Sequence, residues 1–139
     1  MLPSQLLAPL VTYALLTAGL VGVVFAYRTT LVLLRRSAAN SWPRSQPKAE
    51  PLLVQRAHDA HKNCVETFPL FLVASLVVAS NGSFLTDWGW CISWLVGIRV
   101  LQSAIHVAGT QPILVFIRGL LYVGQLLGLA LISVAGVVA

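Results

Sequence analysis

Residues 54–71 read VQRAHDAHKNCVETFPLF and hold a dense set of side chains able to do chemistry. Among them are Arg56, His58, Asp59, His61, Lys62, Asn63 and Glu66. At about 100° per residue on a helix, Arg56, Asp59, Lys62, Asn63 and Glu66 fall within an arc of about 120°. His58 and His61 point elsewhere. The segment runs on into an apolar stretch, so the mixed-charge stripe belongs to a helix entering a membrane, with Glu66 deepest. Ionisable groups in such a helix are costly. They normally face a bundle interior and mark a functional site.

Two later segments carry polar faces of their own. Arg99, Gln102, Ser103 and His106 recur at i, i+3, i+4 and i+7, and Arg118, Tyr122 and Gln125 share one face of the last apolar run. Three polar faces at one end of a bundle predict one pocket. It would offer cations (Arg56, Lys62, Arg99, Arg118, and Arg28 if that side chain turns inward), the Glu66 carboxylate, the Asn63 amide and the Tyr122 phenol. Such a set suits a small zwitterion with more than one carboxylate and an amine. Arg grips carboxylates through paired charge-assisted bonds, and Glu66 would take the ammonium. A cation beside a bound thiol favours the thiolate, which is the reactive form. The same groups would serve equally well by pairing with one another to fix helix packing, and the spacing does not separate the two readings. His58 and His61, with His106 or Glu66 as a third ligand, lie in no HExxH or CxxC pattern, so no metal site is expected. His58, Asp59 and Cys64 scatter around one helix and form no catalytic triad.

The elements that must position these residues follow from composition. The chain has 139 residues, 58% hydrophobic and 9% charged, where a soluble domain carries about 25% charged residues. Mean hydropathy is +0.84. Long apolar runs without alternation suit membrane helices rather than a barrel. The expected fold is an all-α integral membrane protein, a four-transmembrane-helix bundle in one domain spanning residues 1–139. Its helices are expected at about 6–34, 52–80, 88–106 and 113–138, joined by a cytoplasmic loop at 37–51 and a turn at 81–87. Pro69 should kink the second helix just beyond Glu66. Cys64 and Cys91 make no disulfide framework and read as buried thiols. The net charge of +5 lies mainly beside membrane segments, so topology explains it better than nucleic acid. Arg35, Arg36, Arg44 and Lys48 crowd the first loop, which by the positive-inside rule is cytoplasmic, with both termini on the other side. Arg28 either snorkels from the end of the first span or turns into the site. Asn81-Gly82-Ser83 matches a glycosylation sequon, a weak three-residue signal.

The stretch RAHDAHKNCVETFPLF resembles the MAPEG family, the membrane-associated proteins of eicosanoid and glutathione metabolism. The carriers are Ala60-His61-Lys62-Asn63, Glu66, Phe68-Pro69 and Phe71. Gly97-x-Arg99 with Gln102 and His106, and Arg118-x-x-x-Tyr122, continue the likeness. The resemblance implies a homotrimer of four-helix protomers, with glutathione as co-substrate bound between protomers at the cytoplasmic side. Asn63 and Glu66 would hold its backbone and amine, and Arg56 and Lys62 its carboxylates. Arg118 would stabilise the thiolate as the catalytic residue, with Tyr122 hydrogen-bonding nearby. Arg99 and His106 complete the expected binding set. The chain departs from the family's eicosanoid-forming members at Asp59, where they have Arg, at His106, where a Tyr is expected, and at Gln102, which replaces a His in one of them. The implied activity is a glutathione-dependent transferase or peroxidase acting on a lipophilic small molecule from the bilayer. The alternative is a non-catalytic member of the same kind, an accessory subunit to another membrane protein or a lipid-binding scaffold.

Overall fold

The computed structural model describes residues 3–43, 49–80 and 82–138, apart from the side chains of 83–85. Four helices account for most of them: α1 (Ser4–Leu33), α2 (Leu52–Ser80), α3 (Gly82–Ala108) and α4 (Pro112–Val138). Each is long and apolar enough to cross a membrane. The protein is therefore a multi-pass integral membrane protein. The buried positions of α2 are Val54, Ala57, Ala60, Cys64, Thr67, Phe71, Ala74, Ser75 and Val78. That three-and-four spacing is one stripe of a helix. The opposite faces are more apolar than the interior requires: Leu15, Phe25, Leu131 and Val137 are 67–76% exposed. An apolar outside is what lipid solvates.

α2 and α3 each pack against the other three helices, while α1 and α4 have no mutual contact among the described residues. The two central helices thus carry the core. Lipid supplies no hydrophobic drive between helices, so close approach and polar contacts hold them. Gly128 of α4 lies directly under Leu95 of α3, and a Cβ there would meet Leu95 Cδ2 at 3.1 Å.

Two sequence expectations change. α3 begins at Gly82, so the segment expected as a turn is already helical. Side chains brace its first turns: Thr86 Oγ1 donates to the Gly82 carbonyl at 3.1 Å and Trp90 Nε1 to the Asp87 carbonyl at 2.9 Å. Asn81 of the sequon, and Arg44 and Lys48 of the loop, lie outside the described residues. α2 continues through Pro69 without ending. Arg28 neither snorkels free nor enters the site. It makes a two-pronged ion pair with Glu50, Nε to Oε1 at 2.7 Å and Nη2 to Oε2 at 3.2 Å. Its guanidinium also stacks 5.6 Å from the Trp42 ring. The middle of the first loop and its far end are thereby tied to α1, and Val24, Tyr27, Val54 and Ala57 form a small apolar cluster between α1 and α2.

The end of α1 is closed by its own backbone. The Arg36 N–H donates to the Leu31 carbonyl and the Arg35 N–H to the Val32 carbonyl, both at 2.9 Å. These are the paired bonds of a Schellman turn, whose penultimate position is usually glycine. Here that position is Arg35, at φ 55°, a left-handed conformation costing a side-chain-bearing residue about 1–2 kcal/mol. Replacing Arg35 by Gly should therefore raise stability by about 1 kcal/mol, read as a higher melting temperature in detergent without added lipid.

Candidate functional site

The polar interior is built from small residues on α2 and longer ones on α3. Arg99 is 1% exposed, and two hydroxyls and an amide serve it. Its Nη1 donates to Gln102 Oε1 at 2.6 Å. Its Nη2 donates to Thr67 Oγ1 on α2. Thr67 Oγ1 lies 2.7 Å from Tyr13 Oη, and that phenol donates to the Cys64 carbonyl at 2.8 Å. Gln102 Nε2 continues the chain to the Arg118 carbonyl at 3.2 Å. The Arg99 guanidinium also sits 5.8 Å from the Tyr122 ring. One cation therefore joins α1, α2, α3 and α4. Among the described residues it has no carboxylate partner, and its Nε has no hydrogen bond. Neutral groups flank it one turn away on either side along α3: Gln125 Nε2 donates to the Leu95 carbonyl at 2.7 Å, and Cys64 Sγ lies 3.5 Å from Ser103 Oγ.

The remaining predicted residues gather nearer the loops. Arg56 Nη1 donates to the Ala108 carbonyl at 3.2 Å and reaches that of Val107 at 3.5 Å, capping the end of α3. His106 is buried and lies within electrostatic reach of Arg118 and Asp59. Asn63, Arg118 and Tyr122 are half-buried. Arg99, Gln102, His106, Arg118 and Tyr122 thus come together as the sequence led us to expect.

The α2 stripe does not join them. Asp59, Lys62 and Glu66 are exposed on the outer surface of the bundle. The physical reason is rotational. α2 turns Cys64, Thr67 and Phe71 inward, which packs the small side chains that Arg99 and Tyr13 need and leaves Glu66 facing out. Lys62 Nζ pairs with Asp59 Oδ1 at 3.5 Å, with the two side chains 58% and 59% exposed. Such an open pair is worth little to stability. The three polar faces therefore do not line one pocket: the charged stripe of α2 faces away from the polar residues of α3 and α4. An open cavity of about 480 Å³ instead lies between α1 and α2, lined by Ala14, Ala18, Val21, Val65, Phe68 and Pro69, with Thr17 and His61 at its edge. His61 Nδ1 donates to the Thr17 carbonyl at 3.1 Å.

Sequence reasoning missed Thr67 and Tyr13, the two hydroxyls on which Arg99 depends. A signal was present for Tyr13: a lone phenol inside an apolar span needs a hydrogen-bond partner. Thr67 carried none, because a helical threonine can satisfy its own hydroxyl on the carbonyl four residues back, here that of Asn63 at 2.9 Å. Thr67→Val should cost about 1–3 kcal/mol, since it leaves a buried guanidinium N–H without its acceptor. Thr67→Ser should stay near wild type, and thermal unfolding in detergent measures both.

Comparisons with known proteins bear on this arrangement. Searches of curated proteins and of solved structures returned no match. The sequence model of the MAPEG family matches residues 6–138, nearly the whole chain. With four membrane-spanning helices and the polar faces of α2, α3 and α4 in place, the chain belongs to the MAPEG family.

Proposed function

We propose that the protein is a glutathione-dependent membrane transferase or peroxidase acting on lipophilic electrophiles, assembled as a homotrimer with glutathione bound between protomers at the cytoplasmic side. The observation that carries this reading is the outward stripe of Asp59, Lys62 and Glu66 within a membrane-spanning helix. Charged groups on the outer face of such a helix call for a polar partner that lipid cannot provide. A charged tripeptide held against a second copy of the chain supplies one. Glu66 would take the ammonium and Asn63 the peptide, with Lys62 and Arg56 directed at carboxylates. Arg118 is the group assigned to the sulfur, and Tyr122 hydrogen-bonds beside it. Arg99 and His106, both buried, would hold the site from behind.

The chemistry needs one activated group. A guanidinium beside the thiol favours the thiolate. In transfer, the sulfur forms a bond to an electrophilic carbon, and the displaced group leaves with its bonding pair. In peroxide reduction, the sulfur takes the distal oxygen and releases an alcohol. A second glutathione then converts the resulting sulfenic acid to disulfide and water.

A second reading has its own observation. The Lys62–Asp59 pair occupies a cation that the first reading assigns to a ligand carboxylate, and the MAPEG family also includes non-catalytic members. On that reading the stripe serves assembly with another membrane protein. Ultraviolet difference absorbance with glutathione at neutral pH separates the two. The enzyme reading expects a thiolate band in wild type that Arg118→Ala abolishes. It also expects Glu66→Gln to weaken calorimetric binding about tenfold or more, the loss of one charge-assisted bond. Absence of both band and binding heat overturns the enzyme reading.

A further inference from the structure

We propose that Arg35 and Arg36, at the loop end of α1, form a binding site for the headgroup of an anionic phospholipid. The site is separate from the polar interior and does not depend on glutathione chemistry.

Four observations converge on it. Arg35 and Arg36 are both exposed, and neither has a carboxylate partner among the described residues. Immediately before them, Leu33 and Leu34 are 77% and 57% exposed. Two cations thus sit directly beyond two apolar side chains at the end of a membrane-spanning helix. That order matches a phospholipid, with acyl chain against the leucines and phosphate against the guanidinium groups.

The local charge is not neutralised from within. Residues 29–49 contain no Asp or Glu but hold Arg35, Arg36, Arg44 and Lys48. The next acid, Glu50, is buried against Arg28, its side chain 5% exposed. The carboxylate nearest in sequence is thus already committed elsewhere.

The backbone argues in the same direction. A helix end attracts cations when its last carbonyls are bare, but here those of Thr30, Leu31 and Val32 are taken by the N–H groups of Leu34, Arg36 and Arg35. The turn has no need of an arginine side chain. It would form more easily with glycine at position 35, yet a cation is kept there in a left-handed conformation. A strained residue without a local structural role points to a role outside the fold.

The test uses the full chain purified in a neutral detergent. Dioleoylphosphatidylglycerol, dioleoylphosphatidylcholine and inorganic phosphate are titrated separately while the melting temperature is followed, because a ligand bound only to the folded state must raise it. Phosphatidylglycerol should raise it in wild type, and the other two should not. At about 1 kcal/mol per basic residue near an anionic surface, Arg36→Gln should weaken the apparent phosphatidylglycerol affinity about fivefold, and Arg35→Gln with Arg36→Gln about 25-fold. Arg35→Gly separates binding from folding: it should melt higher than wild type without lipid and still lose about fivefold in lipid affinity. It also keeps the test decisive should the double variant fail to fold. An unchanged phosphatidylglycerol response in Arg35→Gly and Arg36→Gln overturns the proposal. So does an equal response to phosphatidylcholine, which means a general lipid effect, or to inorganic phosphate, which means a simple anion site.

Discussion

A guanidinium held inside a membrane bundle, with no carboxylate among the described residues to balance it, is the constraint on which the rest of this protein depends. Burying an unpaired charge is expensive, and the cost falls only as surrounding dipoles take the place of water. Arg99 is met by Thr67 from α2, Gln102 from its own helix and the ring face of Tyr122 from α4. Tyr13 from α1 supports Thr67 in turn. Each helix gives up apolar packing to supply one of these groups, so the four must assemble in one arrangement for any of them to be satisfied. Hydrophobic burial does not choose among arrangements in lipid. The polar centre does.

That centre also explains the division of labour on α2. A helix has one rotation about its axis, and satisfying Arg99 with Thr67 uses it up. Glu66, the next residue back, is then carried to the outer face together with Lys62 and Asp59. The inward and outward sets of polar groups are coupled through a single rigid element. A side chain that shifted α2 to improve one would disturb the other.

Much of this was legible beforehand. The span of α2 at 52–80 came directly from its apolar run between a Pro-rich loop and a polar turn, and the face of Arg99, Gln102 and His106 came from helical spacing alone. What spacing fixes is the angle between residues on one helix. It says nothing about how that helix is rotated against its neighbours, which is why the stripe of Glu66 was expected inside and lies outside. The start of α3 was misplaced for a related reason: polar residues at 81–87 suggested a turn, but a helix extending past the apolar core keeps its backbone bonds whatever its side chains are. The role of Arg28 was illegible because its partner, Glu50, lies across a loop whose path no periodicity records.

The joint between α2 and α3 is very short: one helix ends at Ser80 and the next begins at Gly82. So short a joint leaves little slack to absorb a change of length in either central helix. One extra residue within α3 ahead of Arg99 would rotate the rest of that helix by about 100°. Arg99 would swing from Thr67 toward lipid, and the polar centre would be lost without any change to the residues that form it. The longer connection between α1 and α2 imposes no such phase. Evolutionary insertions and deletions should accordingly accumulate in the first loop and be purged from α3 ahead of Arg99, a length constraint that acts whatever the side chains there are.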